Sequence, residues 1–462
     1  MKDKGFVPEA AGVRTKRALS EMREKVKSYD LSDLSEYPLA LLKERVSSAI
    51  YNVEYYQKLT LEMCDPPLED AEFLEWFARF PISGRPELDG VEIQRRFSSQ
   101  WKDCQLVEKR TSGSTGVPFT LFIDEALAFF RSWRFRKPHV NIGGDSEQDL
   151  VFLFPKRFRT NKRIAKGQQR KTREGAESSY SNIVNAFQPS DLLFQELQLR
   201  SPLTIIGFAS VIAKLSRWMI ETNNQLHSIK GVWTTSESLM PEDALNIESA
   251  FGVMPCPIYA SNEFGFIGYK QTLNGPLLLD TDRLFIELKQ TEDMPDYGHV
   301  IITDLLNDVM PLIRYNTGDL APMEAQNEAS SLDTLPNLLG KQADIISTSS
   351  NIKVTPFQVL GCVREHLSNA QYRFVCLDVD NYVVQYVPGK AFKKHSKENL
   401  ISALVHILGP EANIRLHETD KISREPSGKL RPVINLSNVD ADTRETMIEA
   451  LKLNTLDSKH EE

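Results

Sequence analysis

Leu203-Thr204-Ile205-Ile206-Gly207, a helical stretch from Val211 to Ile220, then Gly231-Val232-Trp233-Thr234-Thr235 and a second helical stretch from Pro241 to Phe251 follow one another in the middle of this 462-residue chain. Strand followed by helix, twice over, predicts an α/β core with a parallel sheet. Upstream, Asp149-Leu150-Val151-Phe152-Leu153-Phe154 is a short apolar run that reads as a further buried strand. Downstream, Leu284-Phe285-Ile286-Glu287-Leu288 and His299-Val300-Ile301-Ile302-Thr303 turn to short alternating strands, which predict an antiparallel, β-barrel-like subdomain. Ala325 to Pro336 is polar and irregular and Gly340 follows it, so the chain divides into a large N-terminal domain, 1–338, and a small one, 339–462. The small domain carries the strands Tyr372-Arg373-Phe374-Val375-Cys376-Leu377 and Tyr382-Val383-Val384-Gln385-Tyr386 and a helix from Lys397 to Leu408, an α+β unit. At the other end, residues 10–60 are charged and helical in character. An amphipathic stretch there runs from Leu39-Ala40-Leu41-Leu42 to Tyr55-Tyr56, and Phe80-Pro81-Ile82-Ser83 turns into the first compact unit. No internal repeat is visible.

A chain of this length holds two or three domains. With 41% hydrophobic and 26% charged residues it has the composition of a globular protein. A formal net charge of -8 argues against a general nucleic-acid binder. No apolar run approaches the roughly 20 residues that cross a bilayer, and Met1-Lys2-Asp3-Lys4-Gly5 lacks the apolar core of a signal peptide. The five cysteines, Cys64, Cys104, Cys256, Cys362 and Cys376, are scattered without metal-ligand or disulfide spacing, so reduced thiols and a cytoplasmic location are expected. The Lys/Arg-rich segment from Lys156 to Arg173 is either a solvated loop or a docking patch for an acidic partner.

Five segments carry chemistry. Thr111-Ser112-Gly113-Ser114-Thr115-Gly116-Val117-Pro118, ahead of the strand-like Phe119-Thr120-Leu121-Phe122-Ile123, is dense in hydroxyls and in backbone N–H groups that glycine leaves exposed. It suits wrapping of anionic oxygens, or else is a Ser/Gly surface turn. It lacks the glycine-Lys-Ser/Thr ending of the usual nucleotide loop. In Tyr259-Ala260-Ser261-Asn262-Glu263, Glu263 is either a surface carboxylate or an oxygen ligand for Mg²⁺, and Tyr259 offers a ring for stacking on a purine. In Ile313-Arg314-Tyr315-Asn316-Thr317-Gly318-Asp319-Leu320, Asp319 is either a turn residue or an acceptor for two ribose hydroxyls. Gly340-Lys341-Gln342-Ala343-Asp344 stands at the domain boundary. Ser427-Gly428-Lys429 places a lysine on a glycine-flexed loop near the chain end, where it can serve as a mobile cation.

In this order and spacing the five segments resemble the adenylate-forming superfamily of acyl-CoA synthetases, nonribosomal-peptide adenylation domains and firefly luciferase, over roughly residues 50 to 435. Tyr51…Tyr55-Tyr56, Phe80-Pro81-Ile82-Ser83 and Gly207-Phe208-Ala209-Ser210 are similar to the phenylacetate–CoA ligase-like and capsule-biosynthesis-type branch. The resemblance implies activation of a carboxylic acid with ATP and Mg²⁺, release of pyrophosphate, and transfer of the acyl group to coenzyme A or to the phosphopantetheine of an acyl or peptidyl carrier protein. It implies that Thr111, Ser112, Gly113, Ser114, Thr115 and Gly116 embrace the β- and γ-phosphates. Tyr259 then lies against adenine, with the Trp233 to Glu237 segment near the same pocket and Asn262 in the motif beside it. Glu263 holds Mg²⁺, Asp319 binds the ribose, Lys341 stands at the hinge, and Lys429, with Glu263 and Thr115, serves catalysis. The acyl pocket is expected near Phe208, Ser236, Ala260 and Phe264. A small C-terminal domain that rotates on a hinge is implied as well, and a homodimer fits the branch.

The chain also departs from that pattern. Lys341 stands where the hinge motif has arginine, Ala343 at the usual hinge acid, Ser349-Ser350 where a glycine is expected, and Asn262 for the usual Thr or Ser. Lysine keeps the charge and loses the bidentate fork. These changes leave the first half-reaction better supported than the second. Two other outcomes stay open: a ligase that passes the acyl group to an amine or alcohol without a free thioester, and a degenerate non-catalytic nucleotide-binding homologue.

Overall fold

The computed structural model describes residues 38–101, 106–110, 119–155, 182–323, 331–367, 371–388, 396–424, 430–451 and 453. The run 111–118, the Lys156–Arg173 segment, Cys104 and Lys429 lie outside these. Among the described residues no helix is long and apolar enough to cross a membrane.

An eight-stranded sheet forms the centre. Five of its strands are parallel and lie side by side in the order Cys256–Ser261, Gly231–Thr235, Thr204–Phe208, Leu150–Phe154 and Ile183–Asn185. Gly265–Lys270, Leu277–Leu279 and Thr334–Leu335 extend it as antiparallel strands. Successive strand residues point to opposite faces, and both faces are apolar. Ile205 and Val232 pack with Val211, Ile212, Leu215 and Ile247 of the helices Ala209–Glu221 and Pro241–Phe251. Ile206 and Trp233 face the other way, toward Ile258, Phe266 and Tyr269. The helix Pro241–Phe251 has its limits written in the sequence. Pro241 opens it, Glu242 and Asp243 fill its first turn, and Gly252 closes it at φ 72°.

A second, five-stranded sheet runs Ser83–Gly84, Tyr315–Pro322, Tyr297–Asp304, Leu284–Gln290, with Gly340–Lys341 also paired to Tyr315–Pro322. It is the antiparallel sheet that the sequence predicts, apart from the parallel Ser83–Gly84 edge. The helices Pro38–Asn52 and Glu54–Leu59 pack beside it. The Tyr56 hydroxyl accepts a hydrogen bond from the Ile313 N–H at 3.0 Å and donates to the Pro311 carbonyl at 3.0 Å. Within the stretch read as irregular, Thr334–Leu335 pairs with Leu277–Leu278.

From Ile346 onward the strands pair only among themselves within the described residues. Four form a sheet in the order Asn413–Glu418, Asn381–Val387, Gln371–Asp378 and Val433–Asn435. Its one face meets the helices Pro356–His366 and Ser396–Leu408, and the other meets Ala441–Ala450. Thr355-Pro356-Phe357-Gln358 starts the first of these helices as a capping box. The Thr355 N–H donates to Gln358 Oε1 at 2.9 Å and the Gln358 N–H donates to Thr355 Oγ1 at 3.3 Å.

Candidate active site

Tyr259 lies on Cys256–Ser261, the last of the parallel strands, and Asp319 and Lys341 sit on neighbouring strands of the second sheet. The fold brings all three together. The Tyr259 hydroxyl donates to Asp319 Oδ2 at 2.6 Å. Lys341 Nζ lies 3.0 Å from Asp319 Oδ1 and donates to the Thr317 carbonyl at 2.9 Å. Strand register sets Asp319 directly opposite Lys341. Locally, Gly318 takes φ 74°, a conformation that favours glycine. Asn316 Oδ1 accepts the Gly318 N–H at 2.9 Å and Thr317 Oγ1 accepts the Asp319 N–H at 3.1 Å. These side-chain-to-backbone bonds shape the strand around the aspartate.

The electrostatics follow from that packing. Burial and then the Asp319 carboxylate hold the Tyr259 phenol well above its ordinary value. For Lys341, burial pulls downward, but the Asp319 charge and hydrogen bond, with Glu263 and Asp344 behind them, outweigh it and raise the lysine. Its side chain is 52% exposed even so, so the pair is partly screened. Asp319 itself is 8% exposed.

Glu263 and Asn262 stand in the turn that joins Cys256–Ser261 to Gly265–Lys270. Asn262 is exposed and Glu263 partly so. The Phe264 N–H donates to Ser261 Oγ at 3.2 Å and its carbonyl accepts from Arg283 Nη1 at 2.8 Å. The Phe264 ring is completely buried 5.8 Å from the Tyr315 ring, so it anchors the turn from below. The charge of Glu263 reaches Tyr259, Tyr315 and Lys341.

Of the residues predicted for the acyl pocket, three sit at one edge. Phe208 pairs with Thr235, which precedes Ser236, and Thr235 pairs with Ile258, two residues before Ala260. Phe208, Ser236 and Ala260 are thus at the carboxyl ends of three adjacent parallel strands, where ligands bind in open α/β sheets. Phe264 lies in the core instead.

Thr111, Ser112, Gly113, Ser114, Thr115, Gly116 and Lys429 lie outside the described residues. The strands flanking the run pair with each other, Arg110 opposite Thr120. Phe119, which follows the run, is buried with its ring 6.2 Å from that of Tyr315, on the strand that carries Asp319.

Glu237, which follows Ser236, is taken up by protein groups. Its Oε2 accepts the Ser210 N–H at 2.8 Å, and its Oε1 accepts the Leu430 N–H at 2.7 Å and Arg424 Nη1 at 3.3 Å. Sequence reasoning missed these partners. Arg424 and Leu430 fall within the quoted Ser427-Gly428-Lys429 neighbourhood, but nothing local links them to residue 237.

No protein-family model matches the chain, and no curated protein matches it. Solved structures do. A 2-hydroxyisobutyryl-CoA ligase in the postadenylation state, in complex with 2-HIB-AMP, superposes with a TM-score of 0.64 at 17% identity, over 90% of this chain and 91% of that one. The chain has the fold of these ligases. An open conformation of the same ligase with 2-HIB-AMP and CoA gives 0.51 at 18% identity, over 86% of this chain and 90% of that one. ATP-bound MatB from Rhodopseudomonas palustris gives 0.50 at 13% identity, over 74% of this chain and 68% of that one.

Proposed function

We propose that this protein belongs to the adenylate-forming superfamily and activates a carboxylic acid with ATP. An oxygen of the acid attacks the α-phosphorus, the bond to the β-phosphate oxygen breaks, and acyl-AMP and pyrophosphate result. A thiol of coenzyme A or of a carrier-protein phosphopantetheine then attacks the acyl carbon and AMP leaves. The observation that carries this reading is the Tyr259–Asp319–Lys341 chain of contacts beside Glu263, built where the two sheets meet. A carboxylate has about four acceptor sites. Tyr259 and Lys341 occupy one on each oxygen of Asp319, which leaves two for the paired hydroxyls of a ribose.

The remaining roles follow the sequence. Thr111 to Gly116 take the phosphates, Phe208, Ser236 and Ala260 border the acyl group at the strand ends, and Lys429 neutralises the reacting oxygens. Residues 339–462 form the mobile domain. Both reactants are anions and the carboxylate is already ionised at neutral pH, so no general base is required and catalysis rests on positioning and positive charge. Mg²⁺ is commonly held by one or two carboxylates together with substrate phosphates. Glu263 would supply that carboxylate to an ion that arrives with the triphosphate and lowers its charge.

The test is acid-dependent ATP–pyrophosphate exchange over a panel of aryl, alkyl and amino acids, followed by acceptor-dependent AMP release with coenzyme A, a phosphopantetheinylated carrier or an amine. Exchange with one class of acid and AMP release with a thiol support the proposal. ATP binding without exchange for any acid overturns it, and AMP release with the amine alone moves the second step to amide formation.

A further inference from the structure

The family resemblance implies that Glu237 lies near the nucleotide, yet both of its carboxylate oxygens are taken by protein groups, and its side chain is 3% exposed. One oxygen holds the start of the helix Ala209–Glu221 through the Ser210 N–H. The other holds two groups of the C-terminal part, Arg424 Nη1 and the Leu430 N–H. These contacts bridge 187 and 193 positions of chain. The Leu430 N–H belongs to the peptide unit that links Leu430 to Lys429. We propose that Glu237 is a positioning residue: a carboxylate clasp that ties the large N-terminal part to Arg424 and Leu430, the described residues on either side of the lysine given the adenylating role above. The proposal rests on the adenylating role given to that lysine above.

Other contacts at the same seam agree. The Arg424 guanidinium lies 5.8 Å from the centre of the Phe187 ring, and Met240 packs against the apolar core of the C-terminal sheet. The seam itself is a cleft of about 820 Å³, with Ser210, Lys214 and Arg217 on one side and Lys421, Arg424 and Leu430 on the other. Hydrogen bonds to a charged acceptor are the strong kind. Glu237 follows Ser236, which takes φ 69° directly after the parallel strand Gly231–Thr235. Ser236, expected at the acyl pocket, is thus one residue from the carboxylate that holds Leu430.

The experiment uses the full chain and two variants, Glu237→Gln and Arg424→Gln. ATP·Mg²⁺ affinity, acid-dependent pyrophosphate exchange, thioester formation from supplied acyl-adenylate, and amide hydrogen exchange in peptides containing Leu430 are measured together. For Glu237→Gln the clasp predicts an exchange kcat lower by about tenfold or more and amide exchange at Leu430 faster by about tenfold, the scale of one lost hydrogen bond to a charged group. ATP affinity stays within about twofold, and thioester formation from the supplied adenylate is retained. Arg424→Gln shifts the same readouts in the same direction by a smaller factor, and it carries the test if Glu237→Gln does not fold. A nucleotide ligand would behave in the opposite way, with weaker ATP binding and kcat retained. That result, or unchanged amide exchange at Leu430, overturns the clasp. Wild-type protein inactive with every acid would instead overturn the adenylation reading, while amide exchange still decides the clasp.

Discussion

Replacing Asp319 by asparagine tests the heart of the site with little disturbance to the fold. The two side chains have the same shape, and the Tyr259 hydroxyl, now 2.6 Å from Oδ2, keeps an acceptor in the amide oxygen. The partly exposed Lys341 turns to water at little cost. The nucleotide fares differently. Asparagine has one acceptor oxygen in place of two, so with Tyr259 already using part of it at least one ribose hydroxyl loses its partner, and the surviving bond is no longer to a charge. A hydrogen bond to a charged group contributes about 1.5–3 kcal/mol, which corresponds to a loss of roughly 10- to 150-fold in affinity for ATP. Titration calorimetry with ATP and 2′-deoxy-ATP on both proteins gives the decisive comparison. In the wild type, loss of the 2′-hydroxyl weakens binding by about tenfold or more; in Asp319→Asn it costs little further. An equal penalty for the deoxy nucleotide in both proteins would remove Asp319 from the ribose and refute the acceptor count on which the site is built.

Two further predictions concern other parts of the molecule. Lys429→Ala lowers acid-dependent pyrophosphate exchange by about 10²–10³, the effect of losing one preorganised donor; near-normal exchange would take the lysine out of the reaction. A buried cluster away from the site sets a pH dependence. There, Asp280 is clamped by Arg134 and by Arg283 at 2.6 Å, while Asp282 lies 2.9 Å from Arg134. Although burial opposes it, the cations around Asp280 hold it well below the carboxylate range, whereas burial and the charge of Asp280 push Asp282 up to about 7. A raised carboxyl contributes stability that is complete below its unfolded value and is lost as pH rises through the folded one. The stability of Asp282→Asn relative to the wild type therefore rises from pH 5 to pH 8, by on the order of 1–3 kcal/mol. Thermal melts across that range read it, and a relative stability of the variant that rises toward low pH would contradict it.

The sequence carries the sheet-and-helix grammar in local signals. Gly231–Thr235 and Pro241–Phe251 have the limits expected, because an opening proline and a glycine at positive φ punctuate the helix and the apolar strand is bounded on both sides. Alternating faces explain why Ile205 and Ile206 both had to be apolar. The site is less legible. Asp319 by itself reads equally as a turn residue, and only the approach of Tyr259, 60 positions away, and of Lys341 distinguishes it. Such through-space pairing leaves no mark in spacing, although the order of the motifs pointed to it. Phe264 reads as a pocket aromatic beside Glu263, but the Arg283 bond to its carbonyl and the packing on Tyr315 draw it inward. Glu237 is the hardest to read, since two of its three partners arrive from the far end of the chain and two of the three bonds to it come from backbone N–H groups, which any residue supplies.

The central claim is that an acid oxygen becomes bonded to the α-phosphorus of ATP. It is tested most directly by supplying the acid that supports exchange with both carboxylate oxygens labelled as ¹⁸O, adding the acceptor, and examining the products by ³¹P NMR and mass spectrometry. The account predicts one ¹⁸O in the phosphoryl group of AMP and none in pyrophosphate. Label in orthophosphate with ADP as the nucleotide product would mean attack at the γ-phosphorus, and would contradict the account.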